Sequence, residues 1–358
     1  MQREFFGSKF RILTFATVLL GIGLVATFLI NAQVRNQNAG GNELKTPAVQ
    51  AGDYKLSGPY VHANLTIFLV HGKNLIEGNF LTLQEALEQK KVVVYETKDV
   101  NELAIQNLSN QDVYVQSGDI VKGGQQDRMI SIDFIVPPRS GRLPIAAFCV
   151  EQGRWSRRGN ESVAGFTSSA DVVATKDIKL AAKKSNSQSG VWENVTVAQR
   201  KLSENVGTTV NSTVSESSLQ LAVENSKVQE TSAAYIDALK GIVQGQGDVI
   251  GYVFAINGEV NSADVYASNT LFKKLWPKLL KANAVEAIAE LQPDRKFEST
   301  TAENAKTFLL ESEDGKMSEK EVTERVRLLT RENEKHIFFE TRDRKQKDAW
   351  VHRNYIKK

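Results

Sequence analysis

Cysteine and histidine are scarce in this sequence. Its 358 residues include a single cysteine, Cys149, and four histidines. One thiol excludes an intrachain disulfide framework, and so few thiols and imidazoles exclude a Cys/His zinc cluster within one chain. The histidines, which are His62, His71, His336 and His352, show no ligand spacing. Neither a metal site nor a bound cofactor is therefore expected.

An excess of either charge is also lacking. Lysine and arginine together number 45, and aspartate and glutamate 42. Residues 1–35 hold four basic residues and one acidic residue, which accounts for the whole net charge of +3. The rest of the chain has no net charge to attract a phosphate backbone, so nucleic acid is not an expected partner. The G-x-S-x-G, Walker and G-x-G-x-x-G motifs are absent as well.

One long uncharged run lies near the N-terminus. Residues 12–34 carry no charge, and a helix needs about 20 apolar residues to cross a bilayer. Basic residues are denser before this run than after it, which predicts a cytoplasmic N-terminus over 1–11 and an extracytoplasmic main domain. The membrane is thus an expected partner through 12–34. The alternative is a signal peptide cleaved after a small residue such as Ala32.

The remaining chain divides by composition into three parts. We expect a flexible linker over 35–53, a main domain over 54–315 and a basic C-terminal β meander over 316–358. In the first half of the main domain, short β-branched and aromatic runs alternate with turn residues, as in an antiparallel sandwich or barrel. The predicted fold class is α+β: an N-terminal transmembrane helix, then a β-rich half with helices and the C-terminal meander packed on it.

Three local signals mark the ends of elements. Thr82 followed by Glu85 predicts a capping box at the start of a helix. Asn257-Gly258 lies between two strand-like runs and predicts a hairpin, because both residues tolerate positive φ. Ser268 is the candidate cap of a later helix, in which Pro277 predicts a kink or a restart.

The densest polar chemistry lies in two segments, 117–128 and 149–155, each of which begins where a strand-like run ends. Ends of neighbouring strands converge, so the two segments can form one polar pocket. In such a pocket cationic side chains hold an anion and an aromatic ring stacks on it. The predicted ligand-binding residues are Lys122, Gln125, Arg128, Arg154 and Trp155. Gly123-Gly124 is expected to bring backbone amides close to the ligand.

Two alternatives remain open for these segments. The first is that they carry internal ion pairs that fix the strand ends, such as Arg128 or Arg154 with Glu151. The second is that Glu151 works with Asp127 or Asp119 as a catalytic acid and base, although carboxylates on solvated turns are far commoner than catalytic pairs.

Cys149 is a candidate nucleophile in the same region. It lies in the apolar run 145–150, which predicts a buried and inert thiol instead.

The two polar segments resemble the ARG and Rhodanese-Phosphatase-superfamily-associated Protein domain family. GDIVKGGQQDR (118–128) has Asp119 where the family has Glu, and CVEQGRW (149–155) matches closely, in the family's order and separation. The likeness extends more loosely over about residues 60–315. The resemblance implies a context of nucleotide or ADP-ribose metabolism and no assigned activity.

Three hypotheses of function follow. The preferred one is a membrane-anchored protein whose exported domain binds an anionic small molecule or a protein partner through the two segments. The second is a hydrolase of a phosphorylated or ADP-ribosylated substrate that uses Glu151. The third is a structural envelope protein in which the motif residues only hold the fold together. An open pocket favours the first two, whereas buried mutual ion pairs favour the third.

Overall fold

The computed structural model describes residues 49–51, 54–76, 78–97, 99–162 and 165–358. The predicted transmembrane helix, the cytoplasmic N-terminus and most of the linker lie outside the described residues. Among the helices that are described, none has both the length and the apolar character needed to cross a membrane. All described residues fall in one compact unit, Thr46–Lys358.

The described part of the chain is rich in β-structure. Its strands, in chain order, are β1 (Val49–Ala51), β2 (Tyr54–His62), β3 (Leu65–His71), β4 (Leu81–Thr82), β5 (Val92–Glu96), β6 (Glu102–Asn107), β7 (Val113–Val115), β8 (Asp119–Gly123), β9 (Arg128–Ile130), β10 (Phe134–Val136), β11 (Leu143–Cys149), β12 (Phe166–Val173), β13 (Val249–Ile256), β14 (Glu259–Tyr266), β15 (Lys316–Glu321), β16 (Val326–Glu332), β17 (His336–Asp343) and β18 (Ala349–Lys357).

Helices fill the stretches between these strands. They are α1 (Leu83–Glu88), α2 (Lys176–Lys183), α3 (Gln188–Val206), α4 (Leu219–Val223), α5 (Ser226–Leu239), α6 (Asn269–Ala289) and α7 (Ala302–Ser312). Two short 3₁₀ turns span Lys240–Val243 and Arg344–Gln346.

A nine-stranded antiparallel sheet forms the larger layer, with the order β1-β2-β3-β13-β14-β18-β17-β16-β15. The interior strand β13 is buried along its whole length, as its largely apolar sequence leads one to expect. The C-terminal meander is confirmed as β15 to β18. It does not form a separate layer, because β18 pairs with β14 and so extends the same sheet.

The first half of the chain supplies a second, nearly closed sheet. Six strands run in the order β12-β8-β9-β11-β6-β5, and an isolated bridge from Tyr95 in β5 to Gly165, just before β12, brings the two edges together. The barrel-like expectation for this half is thus confirmed. A small sheet of β10, β7 and β4 lies beside it.

Apolar side chains form a core on each side of the large sheet. One core packs β3 and β13 against α2, α3, α5 and α6, and a second packs the opposite face of the sheet against α7. The interior of the barrel-like sheet holds a third core, which α1 covers. The fold therefore fixes β8, β9 and β11, which carry the two polar segments, between packed layers.

Several local predictions are confirmed. Thr82 and Glu85 form the capping box of α1, and Ser268 caps α6 by accepting a hydrogen bond from the Leu271 amide. Asn257 and Gly258 take φ of 54° and 79° in the β13–β14 hairpin.

Two expectations were less accurate. Of the kink and the restart predicted at Pro277, the restart is wrong, because helix α6 runs through Pro277 as one element. Residues 49–51, which we expected to be flexible linker, form strand β1 against β2.

Candidate functional site

The register of three strands brings the two polar segments together. β8 pairs with β9, and β9 pairs with β11 so that Arg128 lies opposite Cys149. The chain that leaves β11 as CVEQGRW therefore starts beside the end of the GDIVKGGQQDR turn. The convergence that we expected of neighbouring strand ends is confirmed.

Where they meet, the segments form a buried ion-pair cluster rather than an open pocket. We call Asp127, Glu151, Arg154 and Arg158 the buried arginine cluster. Asp127 and Glu151 have no exposed surface, and Arg158 is 5% exposed. Arg158 holds Asp127 with two hydrogen bonds of 2.8 and 2.9 Å. Arg154 donates from Nε to Glu151 at 2.6 Å.

Further donors occupy the two carboxylates. Asp127 accepts from the Gly123 amide at 3.0 Å and from the Ser218 hydroxyl at 3.1 Å. Glu151 accepts from the Asp127 amide at 3.0 Å. Burial raises the pKa of Asp127, and the Arg158 guanidinium offsets only part of that effect. Burial also acts to raise the pKa of Glu151, but hydrogen bonds, chiefly from Arg154, outweigh it and hold the pKa below its usual range.

The turn at Gly123-Gly124 faces Arg154 rather than a ligand site. The carbonyl oxygens of Gly123 and Gly124 each accept a hydrogen bond of 3.2 Å from Arg154. The Gly123 amide is taken by Asp127, and the Gly124 amide by backbone oxygens. The expectation that these amides approach a ligand was therefore wrong. A Cβ on Gly124 would lie 2.3 Å from the Phe166 ring, which explains the need for glycine at this close approach.

The predicted anion-binding cations are already paired. Arg128 has no exposed surface and donates to the Gln126 carbonyl oxygen at 3.1 Å and to Glu96 at 3.4 Å. Lys122 is bonded to Glu224 at 2.7 Å. The backbone N–H of Gln125 donates to the Glu96 carboxylate at 3.2 Å.

The cations of the two segments are matched by carboxylates. Lys122 pairs with Glu161 and Glu224, Arg128 with Glu96, and Arg154 and Arg158 with Asp127 and Glu151. A cation whose charge is already offset by a carboxylate attracts an incoming anion less. The geometry thus places Lys122, Arg128 and Arg154 in internal ion pairs, which was our alternative interpretation of these segments.

The three candidate carboxylates do not come together. Asp127 and Glu151 meet, but Asp119 lies at the opposite end of β8, where it accepts from Lys278 at 2.6 Å and from the Gln116 amide at 2.9 Å. A role for Asp119 beside Glu151 is thus excluded by its position. The Asp127–Glu151 pair lies out of reach of a solvent-borne substrate, since neither side chain is exposed.

Cys149 is buried, and burial raises the pKa of its thiol to about 11. Its Sγ contacts the Val100 carbonyl oxygen at 3.7 Å. The predicted burial of this cysteine is thus confirmed. A thiol with so high a pKa has little thiolate at neutral pH, which supports the prediction that it is inert.

Trp155 is the one predicted ligand-binding residue that is substantially exposed. Its exposed fraction is 47%, and its ring lies 5.6 Å from the Arg128 guanidinium. The loop 151–162 that carries it contains no helix or strand. Arg154 and Arg158, which point inward from this loop, fix its course by the bonds described above.

A shallow cavity of about 480 Å³ opens on the outer side of the same loop. It is lined by Arg158, Gly159, Asn160, Glu161, Val214 and Leu221. Val214 is 65% exposed, so apolar surface is presented to solvent beside the loop at 158–161.

Sequence reasoning missed Arg158, Glu161 and Ser218. The available signal was the pair Arg157-Arg158, which follows Arg154 after only two residues. Three arginines thus lie within five residues, next to two turns that carry carboxylates. One internal ion pair needs a single arginine, so the others indicated further pairs or a surface role.

A second buried cluster surrounds His352, for which the sequence suggested no role. His352 lies 2.8 Å from Asp133 through Nδ1 and 3.0 Å from Asp264 through Nε2, and its ring stacks on Tyr266. Burial lowers the pKa of His352, but the two carboxylates outweigh it and raise the pKa above the usual value. No group of three or more His, Cys, Asp or Glu side chains in the described ranges is arranged to hold a metal ion.

Comparison with known proteins places this geometry in a family. The family model described as "ARG and Rhodanese-Phosphatase-superfamily-associated Protein domain" matches residues 53–356. The chain belongs to this family. Neither a curated protein nor a solved structure matches it. The family match reaches further than the resemblance noted over 60–315, since it includes the strands of the C-terminal meander. In this family member both motif segments thus lie in one folded unit, with their charges turned inward.

Proposed function

We propose that this family member is a single-pass, membrane-anchored protein whose exported domain binds a protein partner through the loop 151–162. The observation that carries the proposal is Trp155, which is exposed on a loop held in place by the buried arginine cluster. Loops fixed on a rigid scaffold are common binding elements, and Trp and Arg dominate the energetics of many interfaces. Arg157, which is exposed beside Trp155, adds to this surface.

On this proposal the charged side chains of the buried arginine cluster do not contact the partner but hold the loop 151–162 in place. Arg154 and Arg158 keep the loop in one conformation before the partner arrives, which lowers the entropy cost of binding. A protein partner is favoured over an anionic small molecule because the motif cations are already paired with carboxylates. The hydrolase hypothesis gains no support, because Glu151 and Asp127 are shielded from substrate.

The membrane part of the proposal rests on the 23 uncharged residues 12–34 and the basic residues before them. Thiol labelling tests it cleanly, because the native Cys149 is buried. We expect a membrane-impermeant maleimide to label a Ser318→Cys variant in intact cells, since Ser318 is exposed on β15. A matched Ser8→Cys variant should be labelled only after the cells are broken. The reverse pattern would refute the proposed topology.

Photocrosslinking in the membrane-embedded full chain tests the binding surface. A benzophenone amino acid in place of Trp155 should give an adduct of discrete mass, whereas the same group in place of Leu310, also 47% exposed, should not. Arg154→Ala should lower the adduct yield at position 155, because the loop loses its bonds to Gly123 and Gly124. Absence of an adduct at position 155, or equal adducts at both positions, would contradict partner binding by this loop.

A further inference from the structure

A serine, a histidine and an aspartate are aligned on the nine-stranded sheet, away from the buried arginine cluster. Ser57 Oγ lies 2.6 Å from His71 Nε2, and His71 Nδ1 lies 3.0 Å from Asp248 Oδ1. Each ring nitrogen of the imidazole thus has one partner, the hydroxyl on one side and the carboxylate on the other. This is the order of contacts by which a base activates a serine nucleophile.

Three neighbouring strands build this arrangement. Ser57 is on β2, His71 ends β3 and Asp248 directly precedes β13, and β2, β3 and β13 are adjacent in the sheet. The Gly72 amide donates to the Asp248 carbonyl oxygen at 2.9 Å, which ties the aspartate to the residue after the histidine. Groups placed by paired strands hold their geometry better than groups on free loops.

Ser57 stands at an irregularity of the β2–β3 ladder. The register shifts between Ser57 and Tyr60, and Gly58 takes a φ of 114°. A Cβ on Gly58 would lie 2.9 Å from the Ile67 carbonyl oxygen, so the bulge requires glycine here. Bulges redirect side chains and are frequent beside active sites.

His71 and Asp248 form part of the wall of a cavity of about 580 Å³. Apolar and aromatic side chains line the rest of it together with cations; these residues are Tyr54, Lys55, Lys73, Leu75, Ile250, Trp350 and Arg353. The volume suits a small organic substrate. Ser57 Oγ lies within hydrogen-bond distance of His71, which forms part of the wall.

Cations outnumber acidic residues among the described residues of the cavity wall. Arg353 is engaged with Glu340 at 2.7 Å, but Lys55 and Lys73 are exposed and form no ion pair with any residue that the structure describes. Within the described part of the chain, Asp248 is the one acidic residue in the wall. An anionic substrate is therefore attracted to this site.

We propose that Ser57, His71 and Asp248 form a hydrolytic site for carboxylic esters that bear a negatively charged group. Ser57 Oγ attacks the ester carbonyl carbon while its proton passes to His71 Nε2. The tetrahedral intermediate collapses, the C–O bond to the alcohol breaks, and the alcohol leaves with the proton from His71. Water then attacks the acyl-serine with His71 as base, which releases the acid and restores the serine hydroxyl.

The exposure of Asp248 determines how much it is expected to contribute to turnover relative to Ser57 and His71. The Asp248 side chain is 67% exposed, whereas that of His71 is 14% exposed. A solvated carboxylate stabilises the imidazolium less than a buried one does. Asp248→Asn should therefore lower turnover by about tenfold, while Ser57→Ala and His71→Gln should abolish it.

The first experiment uses a fluorophosphonate probe on the full chain in detergent. The Ser57 oxygen displaces fluoride from phosphorus, and mass spectrometry locates the adduct. We expect the adduct on Ser57, its loss in His71→Gln, and unchanged labelling in the matched surface variant Ser318→Ala. A properly folded protein that is not labelled at Ser57, or labelling that survives His71→Gln, would overturn the proposal.

The second experiment addresses the substrate class. The p-nitrophenyl monoester of adipic acid and p-nitrophenyl hexanoate have acyl chains of equal length, and only the first bears a carboxylate. We expect kcat/KM to favour the anionic ester by about tenfold, and Lys73→Gln to reduce that preference. Equal rates would rule out the anionic substrate class. This site shares no residue with the loop 151–162, so failure here leaves the proposed partner binding untouched, and the converse holds.

Discussion

Arg158 reaches 31 positions back along the chain to hold Asp127 in a bidentate ion pair, and both side chains are withdrawn from solvent. Two parallel N–H···O bonds fix angle as well as distance, so this pair aligns the loop 151–162 with the end of β8. The charged side chains of the buried arginine cluster therefore lie beneath the loop 151–162 rather than at the surface.

Removal of the arginine from this pair should be costly. Arg158→Met leaves Asp127 buried without its main partner, and we expect the free energy of unfolding to fall by about 3–5 kcal/mol. Urea denaturation followed by circular dichroism measures the change. Arg200→Met is the control, because the Arg200–Glu204 pair is exposed and is worth about 0.5 kcal/mol or less. Equal losses for the two variants would contradict the structural role of Arg158.

Two glycines, Gly124 and Gly153, allow the effects of packing and of backbone strain on stability to be separated. Gly124→Ala places a methyl group 2.3 Å from the Phe166 ring at a φ of 55°, whereas Gly153→Ala has a φ of 84° and open space around the new methyl. We expect about 1–2 kcal/mol of destabilisation from strain at Gly153 and clearly more at Gly124. Thermal unfolding of both variants decides the matter. A smaller effect at Gly124 would mean that the ring moves aside without cost.

The thiol of Cys149 should react only slowly in the folded protein. Burial raises the pKa of Cys149 to about 11, so a disulfide reagent such as DTNB should react with it slowly at neutral pH. In concentrated urea, where the thiol pKa returns to about 8.5, reaction should be rapid and reach one equivalent. Fast reaction under native conditions would show that the end of β11 opens readily.

The His352 cluster predicts a pH dependence of stability. The pKa of His352 is raised in the folded protein, so its stabilising contribution is full below the unfolded value of about 6.5 and is lost as pH rises through the folded pKa. Burial acts to raise the pKa of Asp133, but chiefly His352 holds it well below its usual range, so its contribution is present above about pH 4 and is lost on acidification.

We therefore expect the difference in Tm between the wild type and His352→Gln to be largest between about pH 4 and 6.5 and to shrink as the pH rises further, through the raised pKa of His352. Other groups near the cluster, including Lys183 and Tyr114, are present in both proteins, so the difference removes most of their effect. His62→Gln, at a half-buried histidine outside this cluster, is the control. A difference that grows with pH would show that His352 is buried in its neutral form.

Contacts between residues a few positions apart were predictable from the sequence. Contacts between residues far apart in the sequence were not. The capping box of Thr82 and Glu85 and the turn at Asn257-Gly258 depend on residues a few positions apart, so the printed sequence contains their whole cause. The convergence of the polar segments followed from the tendency of strand ends to meet. Whether they would meet in an open or a closed arrangement depended on Arg158 and Ser218, which come from a loop and from the residue that caps α4.

The serine, histidine and aspartate on the large sheet illustrate the same limit. His71 and Asp248 are 177 positions apart, and no short motif surrounds Ser57. Only the pairing of β3 with β13 brings them within hydrogen-bond distance. Chemistry that is assembled by sheet order leaves no local spacing for a sequence pattern to detect.

The position of β1 has a mechanical consequence. This strand holds one edge of the large sheet by three residue pairs, Val49↔Leu56, Gln50↔Lys55 and Ala51↔Tyr54, and it enters from its open end. A force on the preceding chain that is directed away from the sheet edge would break the Val49 pair before the other two. Separating all three pairs would release roughly 10 Å of extended chain while β2 and β3 stay paired. Under such a force the three pairs of β1 would therefore yield before the rest of the sheet is loaded.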